Sequence, residues 1–397
     1  WDQDLLYGGN GNDQIYGGAG ADLLHGGAGN DTLIGQLGHD RIHGGAGYNV
    51  IRGGPGDDRI WGHDLTDIID GDEGNDVILG GAGNDVLRGG LGSDLIYGMN
   101  GVDKILGGDG HDNLIGKGDG TRIIGGTGND MIRATDNNNT LFAEDGNDTV
   151  IGGLGADYVL LGARDDLAYG RSGADQIFGE AGNDTIRGDD GNDRLFGNPG
   201  DDRLFGGRGD DSMRGGDGQD VLFGDADNDR MMGENGRDIL DGGLGDDLMW
   251  GGADADHMVG GEGNDWIYGE DGRDNLLGGG GNDRLYGGAN NDVLDGGSGA
   301  DILEGAVGDD RLDGKAGNDI LNGGAGNDTL AAGDGYDTLT GGFGADVFVF
   351  APPPAGQQGA INVITDFRSG EDVIDMTRVP GTPVWLGSAS FTGAGLA

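Results

Sequence analysis

Residues 80–88 read Gly80-Gly81-Ala82-Gly83-Asn84-Asp85-Val86-Leu87-Arg88, and this nine-residue pattern recurs along most of the chain. Steps of nine from Asp4 to Asp346 give 39 positions without an insertion or a deletion. Asp occupies all of them except Asn49, Thr121 and Asn139. The residue two places later is always apolar, so the repeating unit is Gly-Gly-x-Gly-x-Asp-x-U-x, in which U is an apolar residue.

The unit predicts a short strand followed by a tight turn. An x-U-x strand directs U to one face and its neighbours to the other, and glycine accepts the positive φ that a tight turn requires. Asp227, Asp254, Asn290 and Asn137 replace the third glycine, and Asx residues tolerate that conformation best after glycine. Two units make one 18-residue turn. We therefore predict an all-β fold over residues 1–348, a parallel β-roll (β-solenoid) of about 19 turns with the U residues facing inward.

The charge of the chain points to divalent cations. It has 72 acidic and 23 basic residues, a net charge of -49. Equivalent Asp residues of successive turns are expected about 4.8 Å apart, and two unit charges at that distance repel by about 3 kcal/mol at an effective dielectric of 20. Summed over the repeats, this repulsion exceeds the stability of about 5–15 kcal/mol of a typical domain. Carboxylate and carbonyl oxygens suit Ca²⁺. The chain has no cysteine and the repeat pattern offers no nitrogen ligand, which disfavours Zn²⁺ and Cu²⁺.

We expect the Asp residues to form two rows, one on each edge of the roll. The first row takes every eighteenth residue from residue 4 to residue 346, and the second row from residue 13 to residue 337. The three exceptions all lie in the second row, which leaves an upper bound of about 32 Ca²⁺ ions between neighbouring Asp residues. We expect the weakest binding between about residues 116 and 166, where glycines of the repeat are replaced. Neutral drift in a redundant array is the favoured explanation of these defects, and a hinge or docking point is the alternative.

The predicted ligands of the first row are Asp4, Asp22, Asp40, Asp58, Asp76, Asp94, Asp112, Asp130, Asp148, Asp184, Asp202, Asp220, Asp238, Asp256, Asp274, Asp292, Asp310, Asp328 and Asp346. Those of the second row are Asp13, Asp31, Asp85, Asp103, Asp157, Asp175, Asp193, Asp211, Asp229, Asp247, Asp265, Asp283, Asp301, Asp319 and Asp337. Asp67 and Asp166 follow turns with substituted glycines and are not in this set.

The nonapeptide resembles the RTX repeat of secreted toxins, proteases and lipases of Gram-negative bacteria. The resemblance covers residues 1 to about 348. It implies a right-handed parallel β-roll in which each Ca²⁺ lies between consecutive turns, held by the Asp carboxylates and by turn carbonyls. It also implies a secreted, extracellular protein.

Residues 349–397 lack the repeat, which stops at Pro352-Pro353-Pro354. Residues 361–367 (INVITDF) and 372–376 (DVIDM) predict two strands. Residues 341 to about 394 resemble the C-terminal part of serralysin-type metalloproteases, which caps the roll and belongs to a type I secretion module. The resemblance implies a C-terminal cap and secretion-type segment, apparently truncated before the last strands of that family. The alternative is a β-cap that only covers the last apolar residues.

The sequence favours a structural module over an enzyme. The chain has no HExxH motif and no Cys, and its many regular carboxylates do not single out a catalytic pair. Its negative charge repels phosphate and argues against nucleic acid as a partner. No apolar run is long enough to span a membrane. We expect a Ca²⁺-dependent folding module of a protein exported by a type I secretion apparatus. The chain opens at Trp1 within a repeat, so we expect it to be a fragment or processed piece, and its partner domain, for which an enzyme is one candidate, would lie upstream.

The alternative is a stand-alone extracellular adhesin or matrix protein stiffened by Ca²⁺. Outward aromatic residues recur at 18-residue spacing in Trp250, Tyr268 and Tyr286, in Phe178 and Phe196, and in Phe205 and Phe223. Such ladders are candidate platforms for a polysaccharide or a protein partner. Cross-strand packing explains the same pattern without a partner.

Overall fold

The computed structural model describes residues 3–350 and 362–376. All regular secondary structure in these two ranges is β-strand, in 41 strands and no helix. The chain divides into two compact units, unit 1 (Trp1–Arg208) and unit 2 (Gly209–Ala397). The predicted boundary at residues 348 and 349 remains a prediction.

Unit 1 contains 23 strands, most of them six residues long. They are β1 (Leu5–Asn10), β2 (Gln14–Ala19), β3 (Leu23–Ala28), β4 (Thr32–Leu37), β5 (Arg41–Ala46), β6 (Val50–Pro55), β7 (Arg59–Asp64), β8 (Ile68–Glu73), β9 (Val77–Ala82), β10 (Val86–Leu91), β11 (Leu95–Asn100), β12 (Lys104–Asp109), β13 (Asn113–Gly116), β14 (Arg122–Thr127), β15 (Met131–Ala134), β16 (Thr140–Asp145), β17 (Thr149–Ile151), β18 (Tyr158–Ala163), β19 (Leu167–Ser172), β20 (Gln176–Ala181), β21 (Thr185–Asp190), β22 (Arg194–Pro199) and β23 (Arg203–Arg208).

Unit 2 contains 18 strands among its described residues. They are β24 (Ser212–Asp217), β25 (Val221–Ala226), β26 (Arg230–Asn235), β27 (Ile239–Leu244), β28 (Leu248–Ala253), β29 (His257–Glu262), β30 (Trp266–Asp271), β31 (Asn275–Gly280), β32 (Arg284–Ala289), β33 (Val293–Ser298), β34 (Ile302–Val307), β35 (Arg311–Asp313), β36 (Ile320–Ala325), β37 (Thr329–Ala331), β38 (Thr338–Phe343), β39 (Val347–Val349), β40 (Val363–Ile364) and β41 (Val373–Asp375).

Within each unit, strands pair in parallel with the strand two places later in the chain. The odd-numbered strands of a unit lie in one sheet and its even-numbered strands lie in the other. The register is 18 residues, as in the pairs Leu5 with Leu23 and Gln14 with Thr32 in unit 1. Unit 2 follows the same rule, as in the pair Ser212 with Arg230. The predicted parallel β-solenoid of about 19 turns is thus confirmed.

The core is the column of U residues. Ile15 is 8% exposed, and the later U residues through Phe348 are at most 1% exposed. The smallest of them, Ala168, is also fully buried. Full burial of a Leu or Ile side chain stabilises a fold by about 1.5–3 kcal/mol, so this column supplies the main apolar stabilisation of the roll.

In the turns, the second and third glycines of the nine-residue repeat have positive φ. Gly9 and Gly11 have φ of 101° and 115°. Asp227 and Asp254 replace the third glycine with φ of 80° and 78°, as the sequence predicted. The interpretation of Asn137 was wrong. In that turn the residue with positive φ is Asn138, at 57°, which is one place later than in the regular turns.

The two strands predicted after the repeats are present as β40 and β41. They pair with β38 and β39 and so continue both sheets. The spacing changes from 18 residues, because Leu339 pairs with Ile364 and Phe348 with Ile374. Residues 351–361 and 377–397, including the three prolines, lie outside the described residues. The cap and secretion roles of residues 349–397 therefore remain predictions.

Candidate metal centres

Successive members of a row are linked by hydrogen bonds from backbone to side chain. The backbone N–H of Asp22 donates to Oδ1 of Asp40 at 2.7 Å, and that of Asp247 donates to Oδ1 of Asp265 at 2.8 Å. The turn glycines allow this contact because they bring each Asp close to the backbone one turn away. One oxygen of each such carboxylate is thereby satisfied, and the carboxylates are fixed in line along the edge.

The other carboxylate oxygen, Oδ2, has no such partner along most of both rows. Of the predicted set, Asp4 is exposed, Asp13 is half-buried and every other member is buried. In most of these residues Oδ2 is inaccessible to solvent and lacks a hydrogen-bond partner. Burying an unpaired charged group is costly, so a long series of such oxygens indicates a missing cation.

A carbonyl oxygen of the next turn lies near many of these Oδ2 atoms. A methyl group placed on Gly8, the first glycine of its repeat, would lie 2.6 Å from Oδ2 of Asp13 and 2.6 Å from the carbonyl oxygen of Gly26 in the next turn. We call this pair of oxygens, which come together because the first glycine has no side chain, the cradle. Carboxylate and carbonyl oxygens are the ligands that Ca²⁺ prefers, so the chemistry of the cradle suits the ion.

The same arrangement occurs in unit 2. At Gly287 the corresponding point lies 2.5 Å from Oδ2 of Asp292 and 2.9 Å from the carbonyl oxygen of Gly305. No group of three or more His, Cys, Asp or Glu side chains converges on one point within residues 3–350 and 362–376. A cation in a cradle would therefore depend on backbone carbonyls as well as on the row carboxylates, and it would connect one turn to the next.

The pKa values of the row carboxylates show the cost of leaving the cradles without a cation. Burial, together with the neighbouring row carboxylates, raises the pKa of Asp58 to about 8 and that of Asp229 to about 9. The backbone N–H of the preceding row residue lowers both values but does not cancel the effect of burial. Without a counter-ion many of these groups would hold a proton at neutral pH.

The pattern of the family repeat fits these observations. A family model described as the RTX calcium-binding nonapeptide repeat matches the chain in overlapping segments from residues 1–33 through residues 322–350. The chain belongs to the RTX family. No curated protein matches the sequence. RTX repeats bind Ca²⁺. In this chain the row Asp carboxylates lie near the first-glycine carbonyls of the next turn.

Two features of the RTX rows were missed in the sequence. Asp67, left out because Leu65 replaces its third glycine, is buried with an unpartnered Oδ2. Leu65 keeps the turn path with a φ of 65°. The first glycine was treated as a turn residue only, although its lack of a side chain is what leaves the cradle open. The first glycine does not have a positive φ, so the turn conformation does not explain why glycine recurs at this position. That recurrence was the signal in the sequence.

Asn49 takes the place of a carboxylate in the second row, and both polar atoms of its side chain have hydrogen-bond partners. Its Nδ2 donates to the carbonyl oxygens of Gly45 and Gly47, both at 3.3 Å. Its Oδ1 still accepts the N–H of Asp31 at 3.1 Å, as a row carboxylate would. The amide therefore keeps the hydrogen bond between the turns. It has no negative charge and donates to the carbonyl oxygens, so it needs no cation beside it.

The predicted aromatic ladders are stacked, and one further ladder was missed. Tyr268 and Tyr286 have ring centroids 4.8 Å apart, and Phe178 and Phe196 are 4.6 Å apart, both with nearly parallel rings. Trp250 stacks on Tyr268 at 5.8 Å. The missed ladder is Tyr7, His25, His43 and Trp61, with centroids 4.4–4.9 Å apart. Phe205 and Phe223 belong to different units, so their pairing remains a prediction.

These ladders have the geometry of cross-strand packing. Each ring directs its face toward the next ring along the sheet, which leaves mainly ring edges toward solvent. Burial and the neighbouring His25 and His63 lower the pKa of His43. No helix in the described residues is long and apolar enough to cross a membrane.

Proposed function

We propose that the chain is a Ca²⁺-dependent folding and structural module of an exported protein. The observation that carries the proposal is the series of buried, unpartnered Oδ2 atoms that face the carbonyls of the next turn. Without calcium the rows combine burial with mutual repulsion of like charges. With calcium the same carboxylates become links between turns, so ion binding and folding are one process.

Calcium concentrations inside and outside cells make this coupling useful for export. Calcium sites of extracellular modules have Kd values of about 10⁻⁴–10⁻³ M. At cytosolic calcium such sites are empty and the chain stays expanded, which suits passage through a type I secretion apparatus. Outside the cell the sites fill and the roll forms. The secreted character typical of RTX repeat proteins supports this localisation.

The hydrodynamic radius tests the proposal. It is measured by analytical ultracentrifugation over free Ca²⁺ from submicromolar to millimolar, with Mg²⁺ as the control. We expect an expanded chain at submicromolar calcium and a compact one at millimolar calcium, with no compaction in Mg²⁺. A chain that is already compact at submicromolar calcium would contradict the proposed role in export.

The adhesin alternative has weaker support. Its platform would need open aromatic faces, and the rings of Trp250, Tyr268 and Tyr286 stack on one another. The described residues form a repeat roll with the apolar column at its centre and not a catalytic fold, so the proposal assigns no reaction to them.

A further inference from the structure

One sheet of unit 1 differs in charge from the rest of the chain. Its strands β1, β3, β5, β7, β9 and β11 have six residues each, and Asp64 is the only carboxylate among them, although 72 of the 397 residues of the chain are acidic. We call the outward side chains of these six strands the histidine face. Its basic and imidazole groups are Arg41, Arg59, His25, His43 and His63.

The other sheet shows that this composition is not a general property of the strands. Its strands over the same turns, β2 to β12, carry the four carboxylates Asp70, Asp72, Glu73 and Asp109. Arg52 on that sheet lies 3.8 Å from Asp70 and 3.4 Å from Asp72. Arg41 and Arg59 are exposed and have no such ion pair within residues 3–350 and 362–376.

A carboxylate stands near Arg59 at the edge of the sheet, two places earlier in the chain. This residue, Asp57, accepts hydrogen bonds from the backbone N–H and from Nδ2 of Asn75 at 2.8 and 3.2 Å. Its oxygens are therefore already engaged with the next turn, and the guanidinium group of Arg59 stays available to a partner.

The rings of the histidine face stack along the sheet. Tyr7, His25, His43 and Trp61 have successive centroid distances of 4.9, 4.6 and 4.4 Å, and His63 lies 6.1 Å from His43 beside the stack. Because the ring faces cover one another, mainly ring edges point to solvent. Aromatic edges carry the positive end of the ring quadrupole, and an imidazole N–H donates a hydrogen bond.

These exposed groups suit an anionic, hydrophilic partner. Arg41 and Arg59 are register partners on neighbouring strands, so their side chains leave the sheet about 4.8 Å apart. A guanidinium group binds an oxyanion through two parallel hydrogen bonds. The rings of His43 and Trp61 are half-buried already, so a lipid bilayer or an apolar protein surface would gain little by covering them.

The charge of the whole chain determines when such a partner can approach. At a net charge of -49 the chain repels anions. The row Asp residues make up 36 of the 72 acidic residues. Calcium bound in the rows offsets their charge, so the repulsion falls and the local charge of the histidine face decides what binds there.

We propose that the histidine face binds an anionic polysaccharide when calcium is bound in the rows. Arg41 and Arg59 pair with carboxylate or sulfate groups of the polymer, and the ring edges and N–H groups of the stack contact its hydroxyls. The calcium dependence rests on the proposed function. This surface is distinct from the predicted aromatic platforms, because its exposed groups are cations and N–H donors and not ring faces.

Fluorescence anisotropy with the full chain in millimolar calcium tests the proposal. The labelled probes are a galacturonate oligomer, which carries carboxylates, a heparin oligomer, which carries sulfates, and a neutral dextran oligomer. We expect an anionic probe to bind with an affinity that falls as NaCl rises, and dextran not to bind. R41E/R59E should weaken binding about tenfold or more. The matched control R88E/K104E makes the same charge change at exposed positions of the other sheet and should change binding by less than about twofold.

Circular dichroism of the same samples separates the two possible failures. If calcium induces no β-structure, the proposed function is wrong. A folded chain that binds neither anionic probe, or that binds them as tightly after R41E/R59E as before, would overturn the proposal for the histidine face. Should R41E/R59E not fold, R41Q/R59Q removes the same two cations and should still weaken binding severalfold.

Two further probes distinguish the class of partner. Poly-glutamate represents an acidic protein, and phosphatidylglycerol vesicles represent an anionic lipid surface. We expect both to bind more weakly than the better anionic oligosaccharide. Tighter binding of either would overturn the assignment to a polysaccharide.

Discussion

The backbone N–H of Asp22 donates to Oδ1 of Asp40 at 2.7 Å, while Oδ2 of the same Asp40 is buried without a hydrogen-bond partner. One carboxylate thus holds two turns in register and keeps one oxygen for a cation. Under the proposed function, this division of roles, repeated along both rows, makes folding of the roll depend on calcium.

A side chain at the first glycine of a repeat should abolish the binding of one calcium ion. The substitution G80A places a methyl group 2.5 Å from Oδ2 of Asp85 and 2.9 Å from the carbonyl oxygen of Gly98, so these oxygens must move apart and the pair that would bind the ion is disrupted. If free calcium is 100 times the site's Kd, the lost site contributes about 2.7 kcal/mol. Unfolding by urea at fixed calcium measures the loss. The control is A82S at an exposed position of the same repeat, and equal stability of both variants would contradict the assignment of the cradle.

An amide at a row position should reduce the need for calcium. In D85N the new Nδ2 can donate to turn carbonyls, as Asn49 does, and one buried negative charge disappears. We expect D85N to lose an ion in saturating calcium but to be more stable than the unmodified chain in chelator. D85A, which lacks the donor, is the comparison. Chelator stability of D85N below that of the unmodified chain would refute this role of the amide.

The stability of the metal-free roll should fall as pH rises. Burial raises the pKa of Asp58, Asp166 and Asp256 to about 8, against an ordinary value of 3.8. The folded state therefore binds more protons than the unfolded state between these values. Its stability is fully present below the unfolded pKa and is lost as pH rises through the folded pKa.

Circular dichroism of calcium-stripped protein at pH 5 and pH 8 checks this dependence. More β-structure is expected at pH 5, and saturating calcium should remove the difference because it replaces the protons. Equal or greater β-structure at pH 8 without calcium would show that the row carboxylates are not the titrating groups.

The apolar column should contribute independently of calcium. Leu240 is fully buried, and L240A should cost about 2–5 kcal/mol, the usual range for a buried Leu. Leu244 is 58% exposed in the same strand, so L244A is the matched control. Urea unfolding at saturating calcium compares the two variants. A similar effect of both substitutions would mean that the U positions do not form the core.

The periodic part of the molecule could be predicted from the sequence because it depends on local rules. Positions such as Asp85 and Leu87 recur every nine residues, and that period determines the strands, the 18-residue register and the buried column. The prediction failed where the effect depends on space between turns. Leu65 was expected to disturb its turn, yet it adopts the positive φ of 65° that the turn requires. The role of the first glycine was also missed, because only the three-dimensional arrangement shows that a side chain there would press on the row carboxylate and on the carbonyl of the next turn.

The central claim is that the two Asp rows form a stable roll only with calcium. Far-UV circular dichroism during a Ca²⁺ titration, with Mg²⁺ as the control, tests it most directly. We expect a cooperative transition from coil to β-structure in Ca²⁺ alone at neutral pH, reversed by chelator. A β-spectrum that chelator leaves unchanged would contradict the claim, because the buried carboxylates would then be tolerated without the ion.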